Sequence, residues 1–261
     1  MFSIKQIASC DKSIPIGITK PVLVQSENGE HFVMKYIHDD CSGKILFNEL
    51  VAYRLACLLG VPIPESHLGE LNFNNVRHSE ILRPSIGKES TVFLSSYIKG
   101  NTDITPVILK YINNQEDIPR IILFDQIIQN EDRGCNKGNL FFDRKQKRLV
   151  AIDHSHVFKL GEIWDEKSLN KLSNNSPSLV DTVQYRGYGM LIPYIKGHSP
   201  FYTVENRIRS LSRKDVDDVF KGIPSEWGIS DSEIDAVKGF IVTQFDRVHD
   251  IIVLIKNQFN L

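Results

Sequence analysis

Between Asp125 and Phe158 the chain reads DQIIQNEDRGCNKGNLFFDRKQKRLVAIDHSHVF, and three of its oxygen-bearing side chains are spaced for chemistry. Asp132 sits in a polar loop. Asn139 precedes an apolar run, and Asp153 closes a second one. Leu140-Phe141-Phe142 and Leu149-Val150-Ala151-Ile152 are strand-like, with a polar turn from Asp143 to Arg148. A hairpin returns its second strand beside its first, so Asn139 is expected near Asp153. One amide oxygen and one carboxylate are hard ligands that suit Mg²⁺. Asp132 is the best general-base candidate, because phosphoryl transfer needs a carboxylate that accepts and orients the acceptor hydroxyl. A capped surface hairpin would account for any one of these residues. The ordered set, with strand formers correctly placed between, points instead to a phosphotransferase. Arg133 either pairs with an anionic group or fixes the loop. His154 and His156 read as turn or core residues rather than metal ligands.

Such a centre needs a phosphate-side group, and the N-terminal part supplies candidates. Lys35 ends the strand-like run HFVMKY, and Glu49 lies in the first half of the helical run ILFNELVAYRLACLLG. Alone, each is an ordinary edge lysine or helix carboxylate. In the order strand Lys, short loop, helix Glu, the pair can meet and aim the ammonium at nucleotide phosphates. Gly17 is the one glycine of SIPIGITK, the segment where a phosphate-covering loop would fall. The strand STVFLSSYI makes Ser95, Ser96 and Tyr97 the candidate adenine segment.

The positioning elements follow from pattern. Pro21 to Tyr36 reads as a hairpin around Ser26-Glu27-Asn28-Gly29, with Asn-Gly suited to positive φ. The helix containing Glu49 stops at Gly60 before Pro62 and Pro64. Pro62 to Leu71 is extended. Asn101 to Gln129 is mainly helical, and IPRIILFDQIIQN is apolar on more than one face, as in a buried central helix. Lys159 to Phe201 is mixed, a region suited to an acceptor-binding surface. Ser212 with Asp215 and Ser230 with Glu233 have capping spacing. The second cap opens one long helix through about Lys256, with Ile234, Val237, Ile241, Phe245, Val248, Ile252 and Ile255 as its core stripe.

Composition sets bounds. The 261 residues suffice for one large domain or two lobes. A formal net charge of −1 gives no global field toward nucleic acid or anionic membrane. Cys10, Cys41, Cys57 and Cys135 form no CxxC pair and read as reduced thiols of a cytoplasmic protein. MFSIKQIASC is too short and polar for a signal peptide. No apolar run approaches the roughly 20 residues that span a bilayer.

With these residues in place the chain resembles the HipA-like kinases, bacterial relatives of the protein-kinase and phosphoinositide-kinase-like folds. The carrying segments are NGEHFVMKY, NELVAYRLACLLGVPIPE, NEDRGCNKGNLFF, AIDHSHVF and IPSEW. The resemblance implies an α+β, two-lobed kinase fold: a small β-rich nucleotide-binding lobe over residues 1–100 and a mostly helical catalytic lobe over 101–261. It implies an ATP-binding Lys35, its partner Glu49, a catalytic Asp132 and an Asn139/Asp153 Mg²⁺ pair. The family places the metal Asn five positions after the Asp, which here is Lys137. Either Asn139 takes the role through a two-residue insertion or Asn136 does; the strand beginning directly after Asn139 favours it. The implied reaction moves the ATP γ-phosphoryl group to a hydroxyl, with protein Ser/Thr as first acceptor class. A nucleotide-binding pseudokinase and a lipid or small-molecule kinase are the alternatives.

Overall fold

The computed structural model describes residues 4–14, 17–72, 81–82, 89–136 and 139–261. The chain separates into two compact units. Unit one comprises Met1–Leu50, Pro64–Ile98 and Gly222–Ile229; unit two comprises Val51–Ile63, Lys99–Lys221 and Ser230–Leu261.

Unit one is built on a small closed barrel. Its strands are β1 (Lys5–Ser13), β2 (Val22–Ser26), β3 (His31–Lys35), β4 (Ser66–Asn72) and β5 (Glu89–Ser96), in the order β1-β2-β3-β5-β4. Parallel pairing of Lys5 with Gly69 and Gln6 with Glu70 closes it. The expected hairpin forms β2 and β3, with Leu23 opposite Val33 and Val24 opposite Phe32. Its turn is held by the Ser26 N–H to the Glu30 carbonyl at 2.9 Å, and Gly29 takes φ 79°. Alternation puts Val22, Val24, Phe32 and Met34 into one cluster with Ile7, Leu71, Val92 and Leu94. Each such burial contributes about 1.5–3 kcal/mol, so a charge at Val24 would open the barrel. Strand β1 carries no alternation: in KQIASCDKS only Ile7 is buried. It is a strand because β2 and β4 both offer it backbone partners.

Segment 222–229, which contains IPSEW, belongs to unit one through two bonds to β5. Trp227 Nε1 donates to the Thr91 carbonyl at 2.9 Å, and Glu226 accepts the Thr91 N–H at 3.2 Å.

Helix α1 (Gly43–Leu59) is buried on most faces and has its first residues, to Leu50, in unit one. In unit two, Gly100–Asn101 (β6), Leu140–Asp143 (β7) and Arg148–Ala151 (β8) form a sheet in the order β6-β7-β8. Asp143 accepts the N–H groups of Lys145 and Gln146 at 2.8 and 3.2 Å, which makes the turn. Helix α2 (Pro106–Tyr111) is capped by Thr105. Helix α3 (Ile118–Ile127) is buried at every position but Arg120, as its two-faced apolar pattern predicts. It leads to the single turn α4 (Asp132–Cys135). Then come α5 (Glu166–Asn174), α6 (Arg186–Gly189), α7 (Tyr202–Ser210), α8 (Arg213–Val219), α9 (Asp231–Asp246) and α10 (Val248–Phe259).

Both predicted caps are capping boxes, Ser212 with Asp215 and Ser230 with Glu233. The single long helix expected after Ser230 is two, because Arg247 leaves helical geometry at φ −105°, ψ 20°. Its guanidinium donates to Gln244 Oε1 and to the carbonyls of Asn175 and Leu172. Tertiary bonds at one residue outweigh continued helical propensity, and the apolar stripe still buries Val237, Ile241, Val248, Ile252 and Ile255.

Candidate active site

In unit one, Lys35 Nζ lies 2.5 Å from Glu49 Oε1, with the two side chains 9% and 5% exposed. A strand end and a helix converge here, so two residues 14 apart in sequence become one buried pair. Burial of either charge alone would be costly, and pairing offsets it. Ser95 and Ser96 lie on β5 beside Lys35's strand, opposite Val33 and Phe32. The Tyr97 N–H donates to the His31 carbonyl at 2.9 Å, and its ring is exposed. Gly17 sits exposed between β1 and β2 with φ 90°. Thr19, two residues on, is held by its carbonyl's 3.0 Å contact with His38 Nε2.

In unit two, Asp132 opens α4 and its backbone N–H donates to Asn130 Oδ1 at 3.1 Å. Asn139 is buried and donates its amide to Asp132 Oδ2 at 2.6 Å. The exposed Asn136 reaches the same oxygen at 3.3 Å. Lys137 lies outside the described residues. Asp153 follows β8 in the left-handed region at φ 54°, a conformation that Asp tolerates better than most residues. Ser155 Oγ donates to Asp153 Oδ1 at 2.8 Å. The backbone pairs Leu140 with Ala151, and the Ile152 N–H donates to the Asn139 carbonyl at 3.1 Å. Asp132, Asn139 and the strand leading to Asp153 therefore form one local assembly.

Beneath it is a network that local sequence patterns do not reveal. Arg133, Asp125, Asn130, His154 and Tyr188 are all 1% exposed or less. Asp125, on α3, receives Arg133 Nε at 2.9 Å and Nη2 at 3.2 Å, Asn130 Nδ2 at 3.0 Å and the Tyr188 hydroxyl at 3.2 Å. Arg133 Nη1 donates to the Asn139 carbonyl and, at 2.8 Å, to the Ile152 carbonyl; Nη2 donates to His154 Nε2 at 3.0 Å. Burial alone would lower the Arg133 pKa, but the charge and hydrogen bonds of Asp125 outweigh it and raise it above the ordinary value. Burial, then the Asp125 charge, pushes the Tyr188 hydroxyl well above the usual phenol range, so it remains a donor. One signal was available: an Asp inside the apolar run IILFDQII must find partners if the helix is buried.

Two glycines let the segment after Asp181 lie against this turn. A Cβ on Gly134 would stand 2.3 Å from the Thr182 carbonyl oxygen, and one on Gly187 would stand 2.5 Å from that of Arg133. Thr182 Oγ1 also donates to the Glu131 carbonyl at 2.8 Å. Beside Asp132, burial and then the charges of Asp132 and Glu131 push the Cys135 thiol up, which opposes a nucleophilic role. Among the described residues no group of three or more His, Cys, Asp or Glu side chains could hold a metal, and His154 is a core residue.

The HipA-like kinase family profile matches residues 7–171. The chain belongs to that family, a family of kinase-type phosphotransferases. Among solved structures, the Helicobacter pylori proinflammatory kinase CtkA is similar at 12% identity and TM-score 0.46, over 95% of this chain and 99% of that one. HipA of Shewanella oneidensis, solved with HipB and operator DNA, is similar at 11% identity and TM-score 0.47, over 95% and 67%. A Golgi casein kinase with Mn and ADP bound is similar at 11% identity and TM-score 0.45, over 98% and 73%. A search of curated proteins found no match. No helix among the described residues is long and apolar enough to cross a membrane.

Proposed function

We propose that the chain is an ATP- and Mg²⁺-dependent phosphotransferase of the HipA-like type on a two-lobed kinase fold, with the nucleotide-binding lobe over residues 1–100 and the catalytic lobe over 101–261. The reaction moves the γ-phosphoryl group to a hydroxyl, with a protein serine or threonine as the first acceptor to test. One observation carries this reading: Asn139 hydrogen-bonds Asp132 at 2.6 Å on the hairpin that leads to Asp153. Asp132 accepts the acceptor hydroxyl's proton as the acceptor oxygen bonds to the γ-phosphorus and the bond to the β-phosphate oxygen breaks, releasing ADP. Lys35, oriented by Glu49, neutralises phosphate charge. The Ser95 to Tyr97 backbone meets the adenine edge, and the Gly17 turn covers the phosphates.

The donor set fits Mg²⁺. Asn139 gives its N–H to Asp132, which leaves its amide oxygen for a cation, and Asp153 adds a carboxylate. Bound there, the cation would neutralise charge on the phosphoryl oxygens.

The test is incubation with labelled ATP and Mg²⁺ against host lysate, lipid extract and small metabolites, wild type beside Asp132→Ala. The variant is expected to lose about 10²–10⁴ of the transfer rate. ATP binding without transfer by wild type would identify a regulatory pseudokinase. Labelled lipid or metabolite with no labelled protein would reassign the acceptor.

A further inference from the structure

The strand ladder fixes Asn139 only up to its end. Leu140 pairs with Ala151, and the last rung is the Ile152 N–H on the Asn139 carbonyl. Asp153 then turns into the left-handed region, outside any ladder. What spans this open end is Arg133. Its Nη1 holds the carbonyl of Asn139 and that of Ile152, the residue before Asp153. Its other two nitrogens are gripped by both oxygens of Asp125. A guanidinium is planar, with donors in a fixed fork, so gripping one edge sets where the other edge holds its carbonyls. Asp125 in turn stands on the buried helix α3 and is braced by Asn130 and Tyr188.

We propose that Arg133 is a positioning residue that sets the spacing of Asn139 and Asp153 for the divalent cation, with Asp125 and Tyr188 fixing its plane. The inference rests on the phosphotransferase reading and deepens its metal side. Arg133 touches neither cation nor nucleotide in this role; it acts through two backbone carbonyls. A lysine could satisfy one of these groups but not hold both carbonyls and both carboxylate oxygens together.

The experiment measures Mn²⁺ binding in the presence of ADP by electron paramagnetic resonance, without turnover. It compares wild type, Arg133→Lys and Tyr188→Phe, with thermal unfolding of each recorded alongside. Arg133→Lys is expected to weaken Mn²⁺ by about 10–100-fold, as loss of a supporting partner around a metal typically does. Tyr188→Phe leaves both carbonyl bonds in place and is expected to weaken Mn²⁺ severalfold. A folded Arg133→Lys protein with the wild-type Mn²⁺ affinity would overturn the proposal. If Arg133→Lys does not fold, an unchanged affinity in Tyr188→Phe overturns it instead. A wild-type chain that binds no Mn²⁺ with ADP overturns the phosphotransferase reading, and this inference with it.

Discussion

Among the described residues, Lys35–Glu49 in unit one and Asp125–Arg133 in unit two are both buried ion pairs, and the two differ in kind. Lys35–Glu49 of unit one meets at 2.5 Å with both side chains slightly exposed. Asp125–Arg133 of unit two is fully enclosed, 0% exposed on both sides, and every nitrogen of its guanidinium is engaged. In the proposed kinase the first pair keeps an ammonium aimed; the second holds chain segments together. On that reading Lys35–Glu49 is a working pair and Asp125–Arg133 a scaffold. The difference also bears on how each responds to loss of a partner. A stranded carboxylate can neutralise itself by taking a proton, whereas a stranded guanidinium cannot lose one.

The largest expected effect follows from that asymmetry. Asp125→Ala leaves Arg133 charged and buried, and should cost about 3–5 kcal/mol of stability in urea unfolding. Lys35→Met should cost clearly less, because Glu49 can take up a proton. Equal losses in the two variants would erase the distinction between scaffold and working pair. Activity should reverse the order: Lys35→Met should lower kcat/KM for ATP by about 10²–10³-fold, the usual loss on removing one preorganised electrostatic group.

A finer comparison lies within unit two. Asn139 is buried and 2.6 Å from Asp132, whereas Asn136 is exposed and 3.3 Å away. Asn139→Ala should therefore weaken Mg²⁺-dependent turnover by about 10–100-fold, and Asn136→Ala much less. Equal or reversed effects in a Mg²⁺ titration would move the metal role to Asn136. The smallest effects belong to the caps of α8 and α9. Ser212→Ala and Ser230→Ala should each cost about 1 kcal/mol, with Tm falling by about 2–4 °C and turnover unchanged. Loss of turnover in either would show that these helices support the site more directly than their exposed caps suggest.

Local signals make much of this legible in the sequence. The hairpins around Gly29 and Asp143, the helix bearing Glu49, the buried α3 and both Ser caps are written as alternation, helical spacing and cap chemistry. The order Lys35, Glu49, Asp132, Asn139, Asp153 is a linear pattern, and it sufficed to expect a kinase-type site. β1 was not legible, because its strand state comes from partners on two sides rather than from its own pattern. Nor was the break at Arg247, which is decided by carbonyls of Leu172 and Asn175 about 75 residues earlier.

Within the site the same division holds. Which groups can do chemistry is legible in the chain, since residue type and local spacing are its own properties. The sequence leaves Arg133 open between an anionic partner and a loop brace, and the structure gives it both. Asp125 reads as one more residue of an apolar helix until α3 is buried and its carboxylate must find donors. Only the tertiary structure brings Asn130, Arg133 and Tyr188 to that one carboxylate. The reason is physical: the cost of a buried charge is set by whatever surrounds it in space, and no sequence interval encodes those surroundings.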